Sequence, residues 1–150
     1  PASMTKIMTS YILADQIAND LVSLDDQVLI SEKAWRMEGS KMFIEAGKKV
    51  SISDLLKGII IQSGNDASVA IAEYAGGTES GFVDLMNSYA ASLGMDNTIF
   101  KNSTGLPDDN HFSSAKDLAT LTSHFINKFP YEYSLYKEKQ RGKSNIFFIF

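Results

Sequence analysis

The 150-residue chain contains no cysteine, three prolines, two histidines and a single tryptophan. Without cysteine there can be no disulfide, no thiolate metal site and no thiol nucleophile, and the composition fits an oxidising or a reducing compartment equally. Fourteen basic residues against eighteen acidic ones give a net charge of −4. The basic residues form no stripe, which argues against nucleic acid as a partner. No apolar run approaches the length that spans a bilayer, so no transmembrane segment is expected, and nothing at the start reads as a signal peptide. The chain opens on Pro1 rather than Met, so a strand before the first helix and any export signal are expected to lie outside it. What is present is ordinary for a globular protein: 44% hydrophobic and 21% charged residues, enough for one domain with a real core.

Apolar residues surround Met4 to Asn19 almost completely at first, which places this helix in the middle of a domain. Gln27–Ile30 and parts of Lys41–Val50 read as one or two small hairpins broken by Gly39 and Gly47. Ser53 is expected to cap a helix that stops at Ser63-Gly64-Asn65. Further helices are expected from Asp66 through Tyr74, from about Ser80 to Leu93 before Gly94, and from Ser114, in a capping box with Asp117, to about Lys128, where Pro130 ends it. Thr98–Phe100 reads as a short extended segment and Asn102–Phe112 as a polar loop. Arg141–Phe150 changes character and ends in Ile146-Phe147-Phe148-Ile149-Phe150, a buried strand or a truncated end.

Two short motifs carry chemistry. If a helix begins at Pro1–Ser3, Ser3 and Lys6 lie one turn apart on one face, close enough to hydrogen-bond. A serine needs a neighbour to take its proton, and a lysine can do so when its ammonium is destabilised. The helix N-terminus favours an alkoxide and an oxyanion, and Pro1 suits such a start. The plain alternative is a capping serine and a solvated lysine, because Ser-x-x-Lys recurs at Ser113/Lys116 and Ser134/Lys137. The second motif, Ser63-Gly64-Asn65, can present a hydroxyl and an amide into a cleft, with Ser63 as proton relay and Asn65 as partner for a substrate amide. It can equally be a helix stop followed by a cap from Asn65 or Asp66.

Pro1-Ala2-Ser3-Met4-Thr5-Lys6 and Gln62-Ser63-Gly64-Asn65-Asp66-Ala67 together resemble the serine D-alanyl-D-alanine carboxypeptidases, the low-molecular-mass penicillin-binding proteins. The likeness continues through Met42-Phe43, Leu85–Ala90, Leu93-Gly94-Met95, Thr104-Gly105-Leu106 and Tyr131–Lys139, nearly everything before Arg141. It implies an α+β domain of the β-lactamase/transpeptidase-like, penicillin-recognising fold, here mostly the helical subdomain with short hairpins and most of the central sheet missing. On that basis residues 1–140 are a partial carboxypeptidase catalytic domain and 141–150 a divergent or truncated tail. The activity implied is removal of the terminal D-alanine from peptidoglycan stem peptides ending in D-Ala-D-Ala, through an acyl-enzyme. Ser3 would be the nucleophile, Lys6 its general base and Ser63 a proton relay, while Asn65 would hold the substrate amide. β-Lactam antibiotics would acylate Ser3, no cofactor is implied, and the location would be the periplasm or the outer face of the cytoplasmic membrane.

The family's Lys-Thr-Gly motif does not occur in this sequence, which leaves a non-catalytic remnant that binds peptidoglycan peptides as one alternative. Class A β-lactamases are a second, but their Glu-x-x-Leu-Asn segment is missing, since Phe82 and Val83 follow Glu79 where Leu and Asn should stand. A helical interaction module with an accidental Ser-x-x-Lys is a third. Asp108, Asp109 and His111 read as turn formers rather than metal ligands, so no metal is expected, and His124 reads as a surface or packed histidine. The six methionines read as core filler. The first helix is expected to present an unpaired apolar face where a sheet should be, so that the isolated chain associates.

Overall fold

A computed structural model describes residues 1–137 of the chain. A 3-10 turn over Ala2–Met4 runs directly into α1 (Thr5–Ala18). The start is tighter than an α-helix beginning at Pro1–Ser3, because the Met4 N–H closes on the Pro1 carbonyl at 3.1 Å. β1 (Gln27–Leu29) then pairs antiparallel with β2 (Lys49–Ser51), with Val28 opposite Val50. The expected hairpin region thus contains one small sheet, and of Lys41–Val50 only the end is extended. Between the strands sits α2 (Glu32–Trp35), a single turn too short to show in the sequence pattern, with Ser31 Oγ accepting from the Ala34 N–H at 3.0 Å.

Helices α3 (Ile52–Gln62), α4 (Asn65–Gly76), α5 (Glu79–Ser92) and α6 (Ala115–Lys128) complete the body, followed by the short α7 (Pro130–Ser134). The cap of α3 is Ser51 rather than Ser53: Ser51 ends β2 in an extended conformation and its Oγ accepts from the Asp54 N–H at 3.1 Å. Ser114 caps α6 as expected, accepting from the Asp117 N–H at 3.1 Å. The carboxylate of Asp117 does more than complete a local box, since it accepts from the Asn97 N–H at 2.8 Å and the Thr98 hydroxyl at 2.7 Å. Pro130 stands beyond the end of α6, which closes at Phe129, and occupies the first turn of α7, where its missing N–H is harmless. Ile99 bridges to Phe112, so the expected extended segment and the end of the polar loop meet.

The core forms two clusters that meet along α1 and α4. One gathers Leu13, Val28, Ile52, Leu55, Leu56 and Ile71. The other gathers Met8, Tyr11, Ile12, Phe82, Met86 and Phe125. Helix α4 touches α1, α2, α3, α5 and β1, and for that reason is buried through Asn65–Ala72. The apolar residues of α1 are covered as well: Met8, Tyr11, Ile12, Leu13 and Ala14 are all buried. The open apolar surface expected on α1 lies instead beside it, in a shallow groove of about 520 Å³ between Met4 and the Leu118, Ala119, Thr122 and Ile126 face of α6. Met8, Met86 and Met95 fill the core as expected, but Met4 does not. No helix among the described residues is long and apolar enough to cross a membrane. The tail Arg141–Phe150 lies outside the described residues.

Candidate active site

Ser3 is exposed in the turn that precedes α1, and Lys6 is buried in the first turn of the helix. Sixty residues later, α3 terminates in Ser63. That residue adopts the left-handed region at φ 52°, ψ 36°, which costs an L-residue ~1–2 kcal/mol. The turn aims Ser63 back at α1, and its hydroxyl donates to Ser3 Oγ at 3.0 Å. Ala2 at φ 49° and Phe43 at φ 64° are also left-handed. Among the described residues, three of the four non-glycine residues in this region therefore stand at or beside the two motifs, and strained backbone of this kind gathers where a site has to be held in one geometry.

The hydrogen bond expected between Ser3 and Lys6 is not made. Lys6 Nζ instead donates to the Thr104 carbonyl at 2.7 Å. Burial lowers the Lys6 pKa from 10.5 to about 8, because its ammonium has exchanged water for a single carbonyl partner. A lysine of that kind is partly neutral near physiological pH, the condition that the sequence could only presuppose.

Asn65 opens α4 and is 5% exposed. Its Nδ2 donates to the Glu38 carbonyl at 2.7 Å, and its backbone N–H donates to the Ser40 carbonyl at 2.7 Å. Neither Asn65 nor Asp66 caps α4, whose cap is Gly64. The Asp66 carboxylate accepts from the backbone N–H groups of Met42 at 3.0 Å, Phe43 at 2.9 Å and Ile44 at 3.3 Å. Segment 38–44 is therefore fastened to the start of α4 at both ends, and it borders the site.

The loop after Phe100 supplies what the sequence did not reveal. The Ser103 carbonyl accepts from the hydroxyls of Thr9 at 2.9 Å and Ser68 at 2.6 Å, which joins the loop to α1 and α4. Asn102 Oδ1 accepts from the Gly105 N–H at 2.7 Å and turns the chain so that Thr104 faces Lys6. Gly105, at φ +84°, lies against the Ala2 carbonyl, where no side chain would fit. His111 closes the loop. Its Nδ1 accepts from the Lys101 N–H at 3.2 Å, so the neutral ring carries its proton on Nε2, which meets Thr5 Oγ1 at 2.9 Å. Burial holds the His111 pKa below the ordinary histidine value.

Thr104 acts through a backbone carbonyl, which residue identity cannot disclose, but the Asn-x-Thr-Gly turn was a signal that this loop is shaped. Asp108 is a turn former as expected, accepting from the Asn110 N–H at 2.9 Å. Glu79, the acidic residue weighed against the β-lactamase pattern, has one oxygen on the Ser103 N–H at 3.1 Å and hydroxyl at 2.9 Å. Its other oxygen pairs with Lys33 at 2.7 Å. A serine hydroxyl held by a second serine, beside a buried lysine of lowered pKa, is a constellation for acyl transfer by a serine nucleophile.

Solved structures share this arrangement of helices. The D-alanyl-D-alanine carboxypeptidase DacD from Francisella tularensis superposes with a TM-score of 0.91 at 48% identity, over 93% of this chain and 34% of that one. Penicillin binding protein 5 from Haemophilus influenzae gives 0.91 at 42% identity, over 97% of this chain and 43% of that one. The fold is that of the penicillin-binding proteins, and the described residues are its helical part. The sequence model of the D-alanyl-D-alanine carboxypeptidase family matches residues 1–148, and the chain belongs to that family. Among curated relatives, the D-alanyl-D-alanine carboxypeptidase DacC of Escherichia coli is 44% identical over 146 residues, covering 93% of this chain and 36% of that protein. The chain thus spans about a third of the length of the curated relatives it matches.

Proposed function

We propose that the chain carries the nucleophile half of a serine-type D-Ala-D-Ala carboxypeptidase, which removes the terminal D-alanine from peptidoglycan stem peptides and is acylated by β-lactams. The observation that carries the reading is the meeting of Ser63 with Ser3 at 3.0 Å, beside a lysine whose pKa burial lowers to about 8. In this reading neutral Lys6 takes the Ser3 proton as Oγ attacks the carbonyl between the two D-alanines. The Ser63 hydroxyl, already donating to Ser3 Oγ, stabilises the developing alkoxide and then passes its proton to the departing amine of D-alanine, while the Lys6 ammonium returns the proton taken from Ser3 to Ser63. Water hydrolyses the ester left on Ser3.

Asn65 holds the substrate amide with the part of its side chain not engaged by Glu38. A stem-peptide substrate places the working protein in the periplasm or at the outer face of the cytoplasmic membrane. Intact-mass spectrometry after incubation with benzylpenicillin tests the assignment. One adduct of the whole antibiotic is expected on the wild type and none on Ser3→Ala. An adduct that persists in Ser3→Ala would overturn the choice of nucleophile, and binding of a D-Ala-D-Ala peptide without any adduct would make the chain a binder rather than an enzyme.

A further inference from the structure

We propose that Glu79 is a positioning residue for Lys6, acting through the backbone of Ser103 and Thr104; the proposal rests on the reading of Lys6 as the general base. Ser103 is fully buried, and all of its polar atoms are engaged. Its N–H and hydroxyl donate to Glu79 Oε1 at 3.1 and 2.9 Å, and its carbonyl accepts from Thr9 on α1 and Ser68 on α4. With both ends of this residue fixed, the next peptide can turn little, and the carbonyl it presents is the one that receives Lys6 Nζ at 2.7 Å. Glu79 is held in turn. Its second oxygen pairs with Lys33 at 2.7 Å, and it stands in the first turn of α5, where the helix dipole favours a carboxylate. Burial alone would raise its pKa, but the Lys33 ion pair and the Ser103 bonds outweigh burial and hold it below the ordinary value.

The chain of contacts runs Lys33, Glu79, Ser103, Thr104, Lys6 and crosses α2, α5, the 102–106 loop and α1. Glu79 thus touches neither Ser3 nor Lys6, yet it determines where the acceptor for Lys6 lies. A carboxylate is suited to this task because one oxygen can accept from both Ser103 donors while the other is anchored by Lys33. A glutamine keeps the acceptor and loses the anchor. An alanine loses both.

A positioning role and a purely electrostatic one predict opposite signs. Removing a negative charge stabilises the neutral amine, so if Glu79 acted only as a charge, Lys6 would titrate at lower pH in Glu79→Ala. If Glu79 positions the loop, its loss frees the Thr104 carbonyl, admits water to Lys6 and moves its titration up, toward the ordinary lysine range. The experiment follows the ε-carbon NMR resonance of Lys6 through pH in lysine-labelled full-length chain, assigned by its loss in Lys6→Met, and measures acylation by a fluorescent penicillin in parallel.

The expected result is an upward move in Glu79→Ala with acylation slowed on the order of 100-fold, and a smaller effect of both kinds in Glu79→Gln. Ser103→Ala, which removes one hydroxyl bond and little volume, should shift Lys6 in the same direction and serves if Glu79→Ala does not fold. A Lys6 titration that stays in place or falls in all three variants would overturn the proposal. An upward move in a chain that penicillin does not acylate would uphold it and refute the proposed function instead.

Discussion

The Lys6 ammonium is buried, and its titration can be read in stability as well as in activity. Burial lowers its pKa from 10.5 to about 8. At ~1.4 kcal/mol for each tenfold change in the equilibrium, that difference corresponds to about 3 kcal/mol. Below pH 8 the lysine is protonated in the folded and unfolded chains alike, and the folded state carries the whole cost of the buried charge. Between pH 8 and the unfolded value the folded chain has released the proton while the unfolded chain still holds it. Stability therefore rises with pH across that window and levels off above it.

Lys6→Met removes the titration while keeping a long apolar side chain. At pH 7 the variant gains by losing the buried charge and loses by leaving the Thr104 carbonyl unpaired, ~1–3 kcal/mol, so its net stability should stay close to the wild type. The informative quantity is the difference in unfolding free energy between wild type and Lys6→Met, from urea titrations at a series of pH values. It should swing by about 3 kcal/mol in favour of the wild type between pH 7 and 10.5. Acylation by penicillin should rise about tenfold per pH unit up to about pH 8 and then flatten. A pH-independent stability difference, or an acylation limb that continues to the ordinary lysine range, would refute the reasoning.

Gly105→Ala combines a left-handed backbone with a collision against the Ala2 carbonyl and should destabilise the chain on the order of 3 kcal/mol; an unchanged urea midpoint would contradict this. Asp66→Asn leaves a single oxygen for several backbone N–H groups and turns an amide toward them, for a loss of ~1–3 kcal/mol. Limited proteolysis should then cut within residues 38–46 first, and cleavage that stays uniform would count against the Asp66 anchor. Asp15 receives Lys128 at 2.6 Å and the Tyr89 hydroxyl at 2.5 Å. Burial alone would raise its pKa, but these bonds outweigh it and hold the carboxyl below its ordinary value. Its contribution is present above the unfolded pKa and lost as pH falls through the folded one, and with Lys128 half exposed it amounts to ~1 kcal/mol. Acid unfolding of Asp15→Asn should show a correspondingly shallower slope below about pH 5, and equal slopes would remove the assignment.

The groove between Met4 and α6 shows how far sequence pattern reaches. The apolar residues of α1 announced a helix inside a domain, and they are inside it. Which neighbour covered them could not be read, because periodicity reports that a face is apolar and not what lies opposite. The uncovered surface consequently moved from α1 to α6. Ser51 and Ser53 posed a similar choice. Both suit a cap, and the pairing of β2 with β1, a contact between distant segments, settled the matter by carrying the extended chain as far as Ser51.

The sequence by itself determined the five long helices of the described residues, most of their ends and the two motifs, because helix periodicity, capping and the Ser-x-x-Lys spacing are local relations among side chains. Only the tertiary structure decided that Ser63 meets Ser3, that Lys6 gives its hydrogen bond to Thr104 rather than to the serine, and that Glu79 and His111 hold the loop which makes this so. These partners are separated by long stretches of chain, and the decisive acceptor is a backbone carbonyl that every residue possesses. Burial, which lowers the Lys6 pKa, is a property of everything packed around a side chain and is written in no single stretch of residues.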